Sequence, residues 1–259
     1  VDAMYEDPAD AVAGADLVIV CSHLGSYAAV GKAMAASLAP GAIVTDVGSV
    51  KGCVARDLGP HIPDGVHLVP GHPVSGSEKS GPEAGFETLF DDRWWILTPG
   101  EDADDDAVTR LAAYVQALGS RVEIMAAERH DLVLAITSHL PHLIAYNIVS
   151  TADDMETVTQ GEVVKYSAGG FRDFTRIAAS DPEFWRDVFL NNRDAVLETL
   201  GRFTEDLIAL QRAIRWGQGD NLLQVFSQSR DIRQRIIQAG QDTEAPDFGR
   251  RAEPASKPE

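Results

Sequence analysis

Residues 71–81, with the sequence GHPVSGSEKSG, place a titratable histidine among closely spaced glycines directly after an apolar segment. The apolar residues 66–70 have the composition of a buried strand, and ligands in open α/β sheets gather beyond the carboxyl ends of strands. An imidazole there, with an ordinary pKa of about 6.5, can take a proton from a substrate hydroxyl near neutral pH. His72 is therefore a candidate general base in an active-site loop; the alternative is a surface turn whose histidine has no catalytic role.

Two further polar residues, one upstream of this segment and one within it, could share a site with His72. Ser49 lies where a predicted strand, residues 42–46, turns into a helix. Its hydroxyl either caps that helix or points into the crevice at the strand ends, beside the backbone donors of the helix start. Glu78 follows His72 by six residues. This glutamate either sets the pH at which the site works or is a solvated surface side chain.

The second half of the chain contributes further histidines. His130 precedes an apolar helical segment that carries His139 and His142 on either side of Pro141. A proline inside a helix removes a hydrogen bond and kinks it, which can open a polar pocket, but histidines so placed can equally be core residues bonded to carbonyls. No further ligands stand at suitable spacing, and the two cysteines are expected to be free thiols, so no metal site is predicted.

An arginine-containing segment, GGFRDFTRIAASDPEFWRD, occupies residues 169–187. Asp181 before Pro182 is typical of the start of a helix. Arg172 or Arg176 could form a forked pair with a substrate carboxylate, or could pair with a neighbouring acid in the same segment. The segment is thus a candidate for binding an anionic substrate.

Short apolar runs alternate with helical patterns through the first half of the chain, which predicts parallel βαβ units. We predict strands at 15–21, 42–46, 66–70, 93–99 and 121–125, with helices at about 27–38, from about 49, and at about 108–118. This is a Rossmann-like α/β domain, incomplete at its amino end, over residues 1–126. Helical patterns alone continue through residues 127–240, which predicts an all-α dimerisation domain, and the Pro-rich, charged residues 241–259 are expected to be a disordered tail.

Apolar residues late in the chain recur at alternating spacings of four and three, and we refer to them as the seam. The seam consists of Val196, Leu200, Phe203, Leu207, Leu210 and Ile214. A repeat of this kind packs against another helix. Periodicity leaves open whether that helix belongs to the same chain or to a second subunit.

The composition argues against several classes of protein. Of the 259 residues, 44% are hydrophobic and 24% charged, which is ordinary for a globular chain. The formal net charge of −18 repels nucleic acid and acidic membrane surfaces, whose binding relies on clustered lysine and arginine. No apolar run approaches the roughly 20 residues that span a bilayer, and no basic-then-apolar leader opens the sequence. A cytoplasmic protein is expected.

Five strings together make the chain similar to one family: TDVGSVKG, GHPVSGSEKSG, ILTP, HD with SHLPH, and GGFRDFTRIAASDPEFWRD. They resemble the prephenate dehydrogenase family, which includes arogenate and cyclohexadienyl dehydrogenases, from near residue 5 to about residue 214. The resemblance implies an NAD-dependent oxidative decarboxylation in tyrosine biosynthesis, in which a hydride leaves the ring carbon that bears the hydroxyl and the ring carboxylate departs as carbon dioxide. It also implies a homodimer, with prephenate or arogenate as the substrate and NAD, or alternatively NADP, as the cofactor.

The same resemblance assigns roles to individual residues. His72 would deprotonate the ring hydroxyl, and Ser49 would align that histidine and the nicotinamide. Arg176 would bind a substrate carboxylate, and His142 would bind the side-chain end of the substrate. Pocket-shaping or pH-gating roles would fall to Glu78, His130 and Trp185.

Cofactor contacts are implied for Ser22, Gly25, Asp46 and Ser49. Members of the family begin with a strand, a glycine-rich turn and a helix whose amino terminus holds the dinucleotide phosphates, but no GxGxxG string occurs in these 259 residues. We expect a fragment of a longer protein. The alternative is a natural chain that binds prephenate or tyrosine as a non-catalytic dimeric module. A dehydrogenase of similar design acting on small hydroxy acids is disfavoured by the SHLPH and FRDFTRIA strings.

Overall fold

The computed structural model describes residues 2–76, 81–159, 163 and 166–238. Glu78 and the predicted tail at 241–259 lie outside the described residues, so the expectations for them stay predictions.

The first half of the chain begins with a small parallel sheet. Its strands β1 (Leu17–Val20), β2 (Ile43–Asp46) and β3 (His67–Leu68) pair in the order β1-β2-β3. The helices α1 (Pro8–Val12), α2 (Tyr27–Met34) and α3 (Gly52–Asp57) precede or connect them. Tyr27, Met34, Val44, Val54 and Leu58 form much of the core of this layer. The prediction of parallel βαβ units is confirmed for these three strands.

A second sheet follows, with a different pattern of pairing. Strand β4 (Gly71–Pro73) pairs antiparallel with β5 (Trp94–Leu97), and β5 pairs parallel with β6 (Arg121–Ile124). Helix α4 (Asp105–Ala117) connects β5 to β6. The expectation that His72 lies in a loop was therefore wrong: it lies within β4, opposite Ile96, because the chain changes sheets between β3 and β4. Strand pairing fixes the backbone that carries this imidazole.

The rest of the described chain is helical. Helices α5 (Ala127–Leu134) and α6 (Leu140–Thr159) are joined by a π-helical turn, Ala135–His139. They are followed by α7 (Gly169–Thr175), α8 (Pro182–Asn191), α9 (Arg193–Arg215) and α10 (Gly219–Gln238). The predicted start of α8 is confirmed, because the Asp181 carboxylate accepts the backbone N–H of Phe184 and Pro182 is the first residue of the helix.

The chain divides into two compact units, residues 1–200 and 201–259, so that the division falls within α9. The first unit holds both sheets, and the second holds the remainder of α9 and α10. Of the seam residues in the first unit, Val196 is buried. In the second unit, Leu207 and Ile214 are exposed. The predicted division at residue 126 stays a prediction.

The helix from Ala127 to Met155 is long and apolar enough, by length and composition, to cross a membrane. This differs from the expectation that no such run exists. Only 28% of its most apolar window is buried within this chain. Core helices of water-soluble proteins meet the same criteria, and this helix carries three buried polar residues, His130, Asp131 and His139.

Candidate active site

The ends of β2 and β4 are held together by a buried network around Asp46. One carboxylate oxygen, Oδ2, accepts hydrogen bonds from the Tyr27 hydroxyl (2.9 Å), the Gly48 amide (2.8 Å) and the Lys51 ammonium (2.5 Å). The other, Oδ1, accepts the Gly71 amide (3.1 Å), and Lys51 also donates to the Gly71 carbonyl. Burial lowers the pKa of Lys51, and the Asp46 carboxylate opposes that effect. This network anchors the residue directly before His72.

The placement of Asp46 does not fit the cofactor contact expected for it. Its side chain is fully buried, and both of its oxygens are engaged within the chain. Asp46 therefore holds the backbone at Gly48 and Gly71 in place. At Gly48 a Cβ would lie 2.5 Å from Leu24 and 2.7 Å from the Tyr27 hydroxyl oxygen, so only glycine fits this turn. The tight turn leads into Ser49, which is half-buried at the carboxyl end of β2.

Ser49 is not the cap of the following helix. Helix α3 begins at Gly52, and its first amides are satisfied by a residue far along the chain. The Asp131 carboxylate accepts the Lys51 amide through Oδ1 (2.8 Å) and the Gly52 amide through Oδ2 (2.9 Å). Sequence reasoning missed this role of Asp131, because a cap supplied from 79 residues away leaves no local pattern. The other expected role of Ser49, with its hydroxyl in the crevice, stays a prediction.

The side chains of His72, His130 and Asp131 are linked in a row. The Nδ1 atom of His72 lies 2.7 Å from Nε2 of His130, and Nδ1 of His130 lies 2.8 Å from Oδ1 of Asp131. His72 and His130 are both buried. Burial holds the pKa of His72 well below its usual value, and the nearby His130, Lys51 and His139 add to the effect. His72 is therefore neutral near pH 7 and able to accept a proton.

A second group of side chains lies around Trp185 on α8. The imidazole of His142 stacks on its indole, and the ring of His139 meets it edge-on with centroids 6.0 Å apart. The Nδ1 atom of His142 lies 2.9 Å from the Ser138 carbonyl oxygen. Burial lowers the pKa of His142; the Ser138 carbonyl opposes this, and the nearby Arg176 contributes to it. The substrate-binding candidates His142, Trp185 and Arg176 are thus brought together.

The π-helical turn determines where His139, its last residue, and His142 on α6 point. Because Pro141 lacks an N–H and its ring crowds the carbonyl four residues earlier, an ordinary α-helical turn is unfavourable here, and the wider turn relieves it. His139 becomes fully buried, with its Nδ1 atom accepting the Asn192 amide (3.0 Å). Its Nε2 atom has no hydrogen-bond partner of ordinary geometry among the described residues, although the backbone of Ser49 approaches the ring. Burial lowers the pKa of His139 to about 4.

The loop after β1 carries Ser22 and Gly25, the other expected cofactor contacts. Ser22 is exposed. The Gly25 amide donates to Oδ2 of Asp187 (3.2 Å), and a Cβ at Gly25 would lie 2.8 Å from that oxygen. Asp187, on α8 two residues from Trp185, therefore fixes this loop from the helical side. Sequence reasoning missed Asp187 as well.

The residues expected to contact the cofactor lie in loops that follow neighbouring strands. The loops after the parallel strands β1 and β2 lie at the same edge of the sheet, where such cofactors bind. They offer Ser22, Gly25 and Ser49, and His72 follows on β4. A parallel sheet with polar loops at this edge, next to buried histidines on a long helix, is the arrangement of a two-part dinucleotide-dependent dehydrogenase.

Comparison with known proteins agrees with that class. Residues 1–124 match the family model of the prephenate dehydrogenase nucleotide-binding domain, and residues 126–228 match that of the prephenate dehydrogenase dimerization domain. A cyclohexadienyl dehydrogenase of Zymomonas mobilis is 42% identical over 90% of this chain and 79% of its own length. The chain belongs to the prephenate dehydrogenase family.

Two further relatives extend the comparison. The prephenate dehydrogenase of Bacillus subtilis is 35% identical over 74% of this chain, which spans about half of that protein's length, 51%. The crystal structure of a prephenate dehydrogenase from Aquifex aeolicus, in complex with hydroxyphenyl propionate and NAD+, superposes with a TM-score of 0.79 at 35% identity, over 85% of this chain and 76% of that one. The predicted fold class, a Rossmann-like domain followed by a helical dimerisation domain, is confirmed.

Proposed function

We propose that this protein catalyses the NAD-dependent oxidative decarboxylation of prephenate, or of arogenate, in tyrosine biosynthesis. The observation that carries the proposal is the buried His72 on β4, which contacts His130 on the helix that continues to His142. The names of the relatives support this substrate class, and the Aquifex protein that binds NAD+ and a hydroxyphenyl compound supports the cofactor.

His72 performs the proton transfer. It accepts the hydroxyl proton as the ring carbon bearing that hydroxyl becomes a carbonyl carbon. NAD, when bound, supplies the acceptor for the hydride that leaves the same carbon. The bond to the ring carboxylate breaks, carbon dioxide leaves, and the electron pair of that bond enters the ring and makes it aromatic. The ring oxygen then takes its proton back from His72, so the base is regenerated.

Either substrate carries two carboxylates, and this chain has a formal net charge of −18, so fixed cationic or donor groups must select it. We assign Arg176 to a substrate carboxylate and His142 to the side-chain end, with Trp185 forming the wall behind His142. Ser49 aligns His72 and the nicotinamide. Pocket-shaping and pH-gating roles remain proposed for His130 and Glu78.

The nicotinamide side of the cofactor is assigned to Ser22, Gly25 and Ser49, with Asp46 acting indirectly through the loop it supports. Use of NAD in preference to NADP follows the Aquifex complex. We further propose a homodimer formed through the helical domain, located in the cytoplasm. The match to a dimerization domain and the exposed seam residue Leu207 support the dimer.

A second candidate is a dimeric module that binds prephenate or tyrosine without turnover. Prephenate binding is common to both candidates, and NADH formation separates them. The deciding experiment measures NADH formation from prephenate and NAD, with the 259-residue chain and with a version extended upstream by a glycine-rich nucleotide-binding unit. Prephenate binding is measured on both by calorimetry. Turnover in either chain supports the dehydrogenase, whereas prephenate binding with no turnover in both supports the module.

A further inference from the structure

We propose that Asp131 is a positioning residue that acts through His130 to hold His72 in the neutral tautomer with its hydrogen on Nδ1 and its lone pair on Nε2. The proposal deepens the proposed function, since it rests on His72 being the base. Asp131 has no direct hydrogen bond to His72, because His130 lies between the two side chains.

Both oxygens of the Asp131 carboxylate are hydrogen-bond acceptors. Oδ1 of Asp131 accepts the Lys51 amide and Oδ2 accepts the Gly52 amide. An ionised carboxylate can only accept hydrogen bonds. The donor in its 2.8 Å contact with His130 must therefore be Nδ1–H of that ring.

The hydrogen on Nδ1 of His130 determines which nitrogen of His72 carries a hydrogen. A neutral imidazole with its hydrogen on Nδ1 has a lone pair on Nε2. Nε2 of His130 lies 2.7 Å from Nδ1 of His72, so Nδ1 of His72 carries the hydrogen and donates it. The remaining nitrogen of His72, Nε2, is then the lone pair available to a substrate hydroxyl.

The charged and titratable groups near His72 agree with this arrangement. They are His130, Lys51 and His139, with Asp131 beyond His130. Burial and these neighbours lower the pKa of His72, which keeps the ring neutral and makes its tautomer the property that matters.

The tautomer can be measured without reference to activity. Long-range ¹⁵N–¹H correlation spectra of the protein labelled with ¹⁵N-histidine, at neutral pH, distinguish Nδ1–H from Nε2–H imidazoles. The signals are assigned by their loss in His72→Asn and His130→Asn. We expect both rings in the Nδ1–H form. An Nε2–H form of His72 in the unaltered protein overturns the proposal.

Kinetics test the role of the carboxylate in the chain form that turns over prephenate. Asp131→Asn should lower kcat by about 10²–10⁴-fold, the usual contribution of a positioned general base, with little change in the KM for prephenate. Asp106→Asn is the matched control, because Asp106 is exposed on α4 and pairs only with Arg110 among the described residues, one helical turn away. An Asp131→Asn protein with the parental kcat and His72 tautomer contradicts the proposal.

A second variant separates this role from the bonds that Asp131 makes to α3. His130→Phe keeps both of those bonds and removes the connection to His72, so its kcat should fall as far as that of Asp131→Asn. The double variant should be no slower than either single one, because both remove the same connection. Multiplicative losses would indicate that Asp131 acts only by holding α3, and a folded His130→Phe protein with parental kcat would exclude the connection outright.

Failure of this inference is distinguishable from failure of the proposed function. If His72→Asn retains full turnover, the assignment of the base is wrong, whatever the spectra show. If His72→Asn is inactive but His72 is found as Nε2–H, the base assignment stands and the role of Asp131 falls.

Discussion

The imidazole of His142 lies nearly flat against the indole of Trp185, with the ring centroids 3.6 Å apart and the planes inclined by 22°. Two elements distant in sequence, α6 and α8, meet in this pair. The Ser138 carbonyl lies 2.9 Å from Nδ1 of the same imidazole, which accounts for that nitrogen as the donor and leaves Nε2 for a ligand. Stacking and hydrogen bonding together fix the orientation of His142.

Loss of this stacking should weaken substrate binding. In Trp185→Leu the His142 ring loses its support, and since aromatic pairs contribute about 0.5–1.5 kcal/mol, the KM for prephenate should rise several-fold, by about 2–12-fold. Trp185→Phe, which retains a stacking surface, is the matched control and should lie near the parental value. Steady-state kinetics at saturating NAD measure both. Equal KM values in the leucine and phenylalanine variants would show that stacking is unimportant.

Removal of the proposed base should abolish turnover and spare binding. His72→Asn keeps a polar side chain of similar length on β4 but cannot accept the hydroxyl proton, so kcat should fall by at least about 10²-fold. Calorimetric binding of prephenate should change little. In the parental protein, activity should fall with acid only below pH 6.5, because burial lowers the pKa of His72 from that value. Normal turnover by the variant would mean that another group is the base.

Arg176→Ala should mainly affect substrate affinity. A truncated partner of a buried charge pair costs about 2–5 kcal/mol, so the KM for prephenate should rise by about 30-fold or more. Arg110→Ala, on the exposed surface of α4 and paired with Asp106, is the control and should leave KM unchanged. An unchanged KM in Arg176→Ala would remove this residue from the binding site.

The buried His139 predicts that the protein loses stability in acid. Its pKa is 6.5 when unfolded and about 4 when folded, so the unfolded chain binds the proton more tightly. The resulting stability is complete above pH 6.5 and is lost as pH falls from there towards 4, by about 3 kcal/mol at about 1.4 kcal/mol per pH unit. Urea unfolding at several pH values measures this dependence. His139→Leu should flatten it, and an equally steep dependence in that variant would contradict the assignment.

The seam should form the dimer contact. Leu207 is exposed within the chain, so Leu207→Asp should leave the fold intact while placing a charge in an apolar interface. Sedimentation at micromolar concentration should show a dimer for the parental protein and a shift to monomer for the variant. Ala209→Asp is the control: this residue is also exposed and lies about 200° further around the helix. A parental protein that sediments only as monomer would refute the dimer.

The features that sequence predicted well depend on neighbouring residues. Alternating apolar runs located β1 and β2 to within a few residues, and the Asp181-Pro182 pair located the start of α8. These patterns work because strand burial and helix capping use side chains only a few positions apart.

The features that sequence did not predict depend on contacts between distant segments. Asp131 caps α3 across 79 residues, and Asp187 holds Gly25 across 162. Asp46 is buried because the segment at Gly71, 25 residues further along the chain, folds against it and bonds both Asp46 and Lys51. The antiparallel pairing of β4 could not be seen either, because a three-residue strand has no periodicity to read.

The π-helical turn at Ala135–His139 has a consequence for how this site can change. A π-helical turn closes with an i→i+5 hydrogen bond where an α-helical turn closes with i→i+4, so it holds about one residue more. A residue added to an ordinary α-helix rotates everything after it by about 100°, whereas the wider turn takes up the extra residue within itself. Deleting one residue from this turn would therefore shorten the chain between His130 and His142 while leaving α6 close to its present orientation. The proton-handling and substrate-holding groups of one helix are thus separated by a segment whose length can change by one residue while both groups keep their places.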